Sequence, residues 1–110
     1  MPDEAQWILF GPESEVRQKG LVGRTINGHE IAVAAAGERI AAIQRRCPHE
    51  GASLDEGQVF AAKAIKCPLH GFIFDLFTGK GLNCPAFHIA TYETKIENGE
   101  VFVKIGKDKH

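Results

Sequence analysis

Two similar pentapeptides, CPHEG beginning at Cys47 and CPLHG beginning at Cys67, stand out in this sequence. Each offers one thiolate and one imidazole, because His49 follows the first cysteine and His70 follows the second. Cysteine and histidine are the ligands that borderline transition metals prefer in proteins. Two loops that each deliver such a pair, with 17 residues between His49 and Cys67, are predicted to bind one metal centre.

Two kinds of metal centre take two cysteines and two histidines. A structural zinc site usually keeps its cysteines together, followed by its histidines, with two or more residues between paired ligands. Here each loop mixes the two types, and only Pro48 separates the first pair. A [2Fe-2S] cluster with both cysteines on one iron and both histidines on the other needs two ligands at each end. The mirrored loops therefore favour the cluster, with a structural zinc module as the alternative.

The loops and the residues after them resemble the signature of a Rieske protein. The resemblance rests on CPHEGA from position 47, CPLHGFIFD from position 67 and TGK from position 78. More narrowly, the chain is similar to the small Rieske-type ferredoxins that feed bacterial ring-hydroxylating dioxygenases. The resemblance implies an all-β Rieske fold of antiparallel sheets and one Rieske-type [2Fe-2S] cluster per chain. It assigns the cluster ligands to the cysteines and histidines of the two loops, namely Cys47, His49, Cys67 and His70.

A chain of 110 residues is long enough for one domain with its own core, but not for two. We predict a single Rieske domain over residues 1–110. Its base β-domain comprises residues of about 1–45 and 86–106, and a cluster-binding subdomain of about 46–85 is inserted into it. The stacking of such pieces with the cluster at one tip is what the resemblance implies.

The pattern of apolar runs and turn residues is typical of antiparallel β-structure. Asn27-Gly28 and Asn98-Gly99 each predict a tight hairpin. Residues 12–19 are polar and are predicted to hold a single helical turn, capped at best by Ser14. The predicted strands are 6–10, 21–26, 29–35, 40–44, 59–61, 64–66, 72–75, 92–97 and 100–105.

Composition excludes several classes of partner. The net charge of −1 gives no basic patch, so nucleic acid is not expected to bind. The longest mostly apolar run, residues 31–36, is far shorter than the roughly 20 residues that span a bilayer, so no membrane association is expected. The acidic start of the sequence does not resemble a secretory signal. A third cysteine, Cys84, remains as a free thiol, which suits a reducing compartment and predicts a cytoplasmic protein.

The neighbours of the ligands predict a low reduction potential. High-potential Rieske proteins carry an additional cysteine in each loop, where this chain has Ala52 and Leu69, so no disulfide is expected to tie the loops. They also place Ser and Tyr hydroxyls where this chain has Phe72 and Phe74. Fewer hydrogen bonds to the cluster sulfurs stabilise the reduced state less. The potential is therefore expected at the low end of the Rieske range, about −150 mV.

The resemblance implies an electron carrier and not an enzyme, and the sequence shows no Ser/His/Asp set, no phosphate-binding loop and no further iron site. The expected role is to take single electrons from an NAD(P)H-dependent flavin reductase and pass them to a terminal Rieske non-haem iron oxygenase. The carrier is expected to be a monomer. The alternative is a Rieske-like small subunit of another redox enzyme, such as nitrite reductase.

Other reactive or charged residues near the loops are predicted to have ordinary roles. Cys84 is expected to be a small buried residue, because four ligands already fill both irons. The charges that flank the first loop are interpreted as solvated side chains, with steering of a partner as the alternative; they are Arg45, Arg46, Glu50, Asp55 and Glu56.

Overall fold

The computed structural model describes residues 6–48, 51–69 and 71–105. Within these ranges the protein is almost entirely β-structure, and every strand pairing is antiparallel. This confirms the predicted all-β class. The elements are β1 (Gln6–Pro12), α1 (Glu13–Lys19), β2 (Leu21–Ile26), β3 (His29–Ala36), β4 (Arg39–Gln44), a 3₁₀ turn (Leu54–Glu56), β5 (Gln58–Phe60), β6 (Ala64–Lys66), β7 (Ile73–Asp75), β8 (Thr91–Tyr92), β9 (Thr94–Glu97) and β10 (Glu100–Ile105).

The strands are arranged in three sheets, with the orders β1-β10-β9, β2-β3-β4-β8 and β5-β6-β7. Two buried clusters hold the sheets together. One joins the first sheet to the middle sheet, since it contains Val101 and Val103 of β10 with Ile31 and Val33 of β3. The other contains alanines of β3 together with residues of β6 and β7. The middle sheet is therefore covered on both faces.

Strand β3 is buried on both of its faces. Ile31, Ala32, Val33 and Ala34 are all 0 % exposed. The large residues pack towards β10, and the alanines pack towards β6 and β7. Small side chains on that second face allow the β5-β6-β7 sheet to pack closely against the middle sheet. This sheet lies wholly within the segment predicted to bind the cluster.

The helix α1 is longer than predicted, and Ser14 does not cap it. The helix spans seven residues, has Pro12 at its N-cap position without a side-chain hydrogen bond, and ends at Gly20 with φ +82°. Two ion pairs at i,i+4 spacing, Glu13–Arg17 and Glu15–Lys19, lie along its surface. Within the described ranges no helix is long and apolar enough to cross a bilayer.

The last predicted strand pair is partly wrong, because the segment 92–97 divides between two sheets. Strand β8 pairs with β4, with Tyr92 opposite Ala42. Strand β9 pairs with β10, with Thr94 opposite Val103. The chain therefore changes sheets at Glu93, whose carbonyl accepts a hydrogen bond from Lys104 N–H at 2.9 Å. Both predicted Asn-Gly hairpins are confirmed, since each Asn and Gly has a positive φ.

Candidate metal centre

The two candidate ligand loops repeat one backbone arrangement. The first follows β4 and leads to the 3₁₀ turn, and the second connects β6 to β7. In each loop the cysteine N–H donates to the carbonyl five residues later. The distances are 2.8 Å from Cys47 to Ala52 and 2.7 Å from Cys67 to Phe72. The similarity between the two pentapeptides is therefore also a similarity in hydrogen bonding.

The loops bring the thiols of Cys47 and Cys67 together inside the protein. Each cysteine is 2 % exposed, and the Cys47 thiol lies close enough to that of Cys67 to influence its pKa. Leu69 N–H approaches Cys67 Sγ at 3.5 Å. Burial raises the pKa of the Cys67 thiol; the Leu69 N–H opposes this effect, and Cys47 adds to it. Two converging thiols with a backbone donor at one sulfur fit a centre that takes two thiolates.

The two histidines of the predicted ligand set, His49 and His70, lie outside the described residues, as does Glu50. Over the ranges that are described, no group of three or more His, Cys, Asp or Glu side chains comes together. The structure thus places two of the four predicted ligands side by side, and the histidines stay predictions. Gly51 and Gly71 have φ values of +75° and +69°, a region that glycine adopts without steric cost.

A partly buried ion pair closes the base of the first loop. Arg45 Nε lies 3.1 Å from Asp55 Oδ1, and the two side chains are only 25 % and 15 % exposed. Gly23 on β2 leaves room for the pair, since a Cβ there would lie 2.8 Å from Arg45 Nε. The interpretation of these two residues as solvated charge is therefore wrong. Opposite charges at the two ends of a loop were the sequence signal that could have revealed the pair.

Arg46 also has a structural role that the sequence did not reveal. Its guanidinium donates from Nε to Glu30 at 2.9 Å. From Nη1 it donates to the Gly51 carbonyl and to Ser53 Oγ, both at 3.2 Å. Arg46 thus links the first loop to β3, although its side chain is 54 % exposed.

Phenylalanine stands at both positions where high-potential Rieske proteins are expected to place a hydroxyl group, 72 and 74. Phe74 is fully buried, and Phe72 packs against the same core. The Phe72 ring stacks on that of Phe87, with centroids 5.6 Å apart. Phenylalanine cannot donate a hydrogen bond, and the low reduction potential stays a prediction.

Cys84 is buried, as predicted, and is 7 % exposed. Its thiol lies 3.8 Å from the Ile73 carbonyl. None of the three cysteines forms a disulfide. Ala52 and Leu69, which stand where high-potential relatives have cysteines, pack against the core that contains the ligand cysteines.

Asp75 organises the turn that follows β7. Its Oδ1 accepts hydrogen bonds from Phe77 N–H at 2.8 Å and Thr78 N–H at 2.9 Å. Lys63 Nζ lies 3.7 Å from Oδ2. Burial alone would raise the pKa of the Asp75 carboxyl, but the two backbone donors and the Lys63 charge outweigh it, and the pKa is lowered. The ionised carboxylate therefore stabilises this turn.

Asp75→Ala is expected to lower the free energy of unfolding at pH 7 by about 2 kcal/mol, because two backbone N–H groups lose a charged acceptor. The folded pKa lies below the unfolded one, so this contribution is present above the ordinary carboxyl range of about 4 and is lost as the pH falls through the folded pKa. The difference in the free energy of unfolding between the parent protein and Asp75→Ala should therefore shrink as the pH falls.

Thermal unfolding midpoints from pH 7 downwards test this expectation. Asp75→Asn is the matched control, since its amide oxygen can still accept both hydrogen bonds without a charge. An Asp75→Ala difference that does not change with pH would contradict the role of the carboxylate charge.

The fold and the paired cysteine loops define a small β-protein with a metal centre. The family model described as the Rieske [2Fe-2S] domain matches residues 6–93. The chain belongs to this family, and its cofactor is a Rieske-type [2Fe-2S] cluster. The two buried thiols are the half of the predicted ligand set that the structure describes, and their chemistry fits that cofactor.

Curated relatives match the chain over most of its length. The ferredoxin component of the naphthalene 1,2-dioxygenase system of Pseudomonas putida is 34 % identical over 101 residues, which is 91 % of this chain and 96 % of that protein. The ferredoxin component of the naphthalene 1,2-dioxygenase/salicylate 5-hydroxylase systems of a Ralstonia species is 36 % identical over 100 residues, or 90 % and 95 %. The 3-phenylpropionate/cinnamic acid dioxygenase ferredoxin subunit of Escherichia coli K12 is 38 % identical over 76 residues, or 68 % and 72 %.

Solved structures of dioxygenase components also match this chain. The ferredoxin of carbazole 1,9a-dioxygenase from Nocardioides aromaticivorans IC177 matches with a TM-score of 0.79 and 27 % identity, and the match covers 89 % of this chain and 96 % of that one. The terminal oxygenase of the same system matches with a TM-score of 0.83 and 25 % identity, over 94 % of this chain but 31 % of the oxygenase. The chain is a Rieske ferredoxin, an electron carrier and not itself a catalyst.

Proposed function

We propose that Cys47, His49, Cys67 and His70 bind the cluster, with the cysteines on one iron and the histidines on the other. The adjacent buried thiols of Cys47 and Cys67 support this assignment. The similar spacing of a histidine after each cysteine supports it further. Cys84 is not part of the set.

We propose that the protein takes single electrons from an NAD(P)H-dependent flavin reductase and delivers them to a terminal Rieske non-haem iron oxygenase. When bound, the cluster supplies a one-electron carrier. The observation that carries the proposal is the match to a dioxygenase ferredoxin component over 96 % of that protein. A second observation supports a terminal oxygenase as the partner. A solved complex of reduced oxygenase and oxidised ferredoxin in carbazole 1,9a-dioxygenase matches this chain with a TM-score of 0.77 and 27 % identity, over 88 % of this chain.

The residues of the chain contribute binding, orientation and exclusion of water. The two cysteines belong to a buried apolar cluster, so bulk water does not reach their thiols. Leu69 N–H orients one sulfur. The Arg45–Asp55 pair and the contacts of Arg46 hold the first loop against β2 and β3.

The division into a base β-domain of about 1–45 and 86–106 and a cluster-binding subdomain of about 46–85 is part of the proposal. The position of the β5-β6-β7 sheet inside the second segment supports it.

We also propose that the protein is a cytoplasmic monomer. Cys84, which the proposed ligand set leaves as a free thiol, supports the compartment.

Reconstitution tests the proposed role. The purified holoprotein, a flavin-dependent ferredoxin reductase and a terminal oxygenase of an aromatic dioxygenase system are combined with NADH or NADPH. Oxygenase turnover is expected to require the ferredoxin and to rise with its concentration. A ferredoxin that the reductase cannot reduce, or turnover that does not depend on ferredoxin, would contradict the proposed role.

The reduction potential is expected at the low end of the Rieske range, about −150 mV. The physical reason is the absence of hydroxyl donors at Phe72 and Phe74, because such donors would stabilise the more negative reduced state. A redox titration followed by visible absorbance measures the potential. A value well above 0 mV would contradict the expectation, and Phe74→Tyr is the variant expected to move the potential upwards.

A further inference from the structure

The side chain of Asn83 is hydrogen-bonded to the C-terminal end of the second ligand loop. Its Oδ1 accepts a hydrogen bond from Ile73 N–H at 2.9 Å. Its Nδ2 donates to the Gly71 carbonyl at 3.1 Å. One amide therefore satisfies a donor and an acceptor of the backbone two residues apart. A side-chain amide is suited to this task, because it carries both groups.

The orientation of the Asn83 amide follows from its partners. Ile73 N–H can only donate, so the group facing it must be the amide oxygen. The Gly71 carbonyl can only accept, so the group facing it must be the amide nitrogen. An aspartate at this position could serve Ile73 but would have no donor for Gly71. The two hydrogen bonds can therefore be separated by one substitution.

The Gly71 carbonyl lies one residue beyond the proposed ligand His70, in the peptide that joins Gly71 to Phe72. Gly71 has φ +69°, a conformation that glycine adopts without steric cost and that few other residues adopt. The hydrogen bond from Asn83 Nδ2 to the Gly71 carbonyl holds the Gly71–Phe72 peptide. The C-terminal end of the second ligand loop is thus attached to a residue twelve positions later in the sequence.

Asn83 belongs to a loop of residues 82–87 that is itself attached to the second ligand loop. Leu82 N–H donates to the Ile73 carbonyl at 2.7 Å. The stacked rings of Phe72 and Phe87 join the other end of the loop to the same segment. Asn83 lies between these two attachments and is the residue whose side chain reaches Gly71.

We propose that Asn83 is a positioning residue for the second ligand loop, acting through its hydrogen bond to the Gly71 carbonyl. This proposal rests on the proposed ligand set that includes His70. By fixing the Gly71–Phe72 peptide, Asn83 holds the C-terminal end of the loop that carries Cys67 and His70 and slows the release of iron. Removal of a partner that orients a metal ligand typically weakens metal binding by about 10-fold to 100-fold.

The experiment compares the holoprotein with Asn83→Ala, Asn83→Asp and the matched control Leu82→Ala. Leu82 lies in the same loop, and its side chain is 50 % exposed. The rate of cluster loss in the presence of an iron chelator is followed by visible absorbance at a temperature well below unfolding. Amide hydrogen exchange at Ile73 and the thermal unfolding midpoint are measured on the same samples.

Both Asn83 variants are expected to lose the cluster about 10-fold faster than the parent protein, and Leu82→Ala at the parent rate. The Ile73 amide should stay protected in Asn83→Asp and exchange faster in Asn83→Ala. A merely structural role would lower the unfolding midpoint without this separation, so an Asn83→Asp protein that loses its cluster at the parent rate would overturn the proposal. A parent protein that holds no cluster would instead overturn the ligand set on which the proposal rests.

Discussion

Replacing Cys67 with serine is expected to abolish cluster binding, with loss of the visible absorbance and of protein-bound iron. The sulfur of Cys67 lies beside that of Cys47 in a core from which water is excluded. A thiolate is the form that binds iron, and a serine hydroxyl does not ionise at neutral pH to replace it. Cys47→Ser is expected to have the same effect.

Cys84→Ser provides the matched control for this experiment. Cys84 is also buried and also a free thiol, so the substitution changes the same atom in the same core. The Cys84→Ser protein should keep its iron and its visible spectrum. Iron content and absorbance per chain are the readouts. Loss of the cluster from Cys84→Ser, or its retention in Cys67→Ser, would contradict the assignment of the cysteines.

Gly79→Ala is expected to lower the free energy of unfolding by about 3 kcal/mol, from left-handed backbone strain and overpacking together. Gly79 has φ +82°, and a Cβ there would collide with the Ile89 carbonyl and lie 3.4 Å from Thr91. The collision cannot be relieved by a flexible side chain, because the obstacle is backbone. Ile89 N–H also donates to the Gly79 carbonyl at 2.8 Å, so the two segments cannot move apart without losing that bond.

Gly99→Ala separates the two causes. Gly99 has a similar φ of +77°, but no atom lies within 4 Å of the position of its Cβ. This control carries the backbone strain alone and should cost about 1 kcal/mol. Thermal unfolding of the holoproteins measures both, with a decrease of roughly 15 °C expected for Gly79→Ala. Equal losses in the two variants would show that the contact with Ile89 is not responsible.

Local sequence signals were sufficient for most of the strands. Asn27-Gly28 and Asn98-Gly99 predicted their hairpins because few other dipeptides adopt two positive φ angles readily. The paired cysteines were predicted to converge, and they do. By contrast, Ala61 and Ala62 form a turn with φ values of +57° and +54°. Alanine gives no sequence signal for that conformation, so only the flanking strands indicated a hairpin there.

The contacts that hold the ligand loops could not be predicted, because they join residues far apart in the sequence. Arg46 reaches Glu30, 16 positions earlier. Asn83 reaches Gly71, 12 positions earlier. Each is a polar residue at an exposed position, and solvation is the ordinary expectation for such residues. The partners become apparent only when the sheets have brought the loops together.

The burial of both faces of β3 was also beyond the sequence pattern. Alternation of Ile31 and Val33 with alanine indicates one apolar face, since alanine is compatible with either environment. The alanine face is buried because the β5-β6-β7 sheet covers it. Tertiary packing, and not the local pattern, therefore decided which positions form the second core.

Magnetic resonance of the reduced holoprotein tests the central claim most directly. The protein should contain iron and acid-labile sulfide in equal amounts, and the reduced cluster should show coupling to nitrogen nuclei of two histidine imidazoles. Cys84→Ser should leave these couplings unchanged. A purified protein that contains zinc, or an iron–sulfur cluster without histidine nitrogen coupling, would contradict the assignment of a Rieske centre to the two loops.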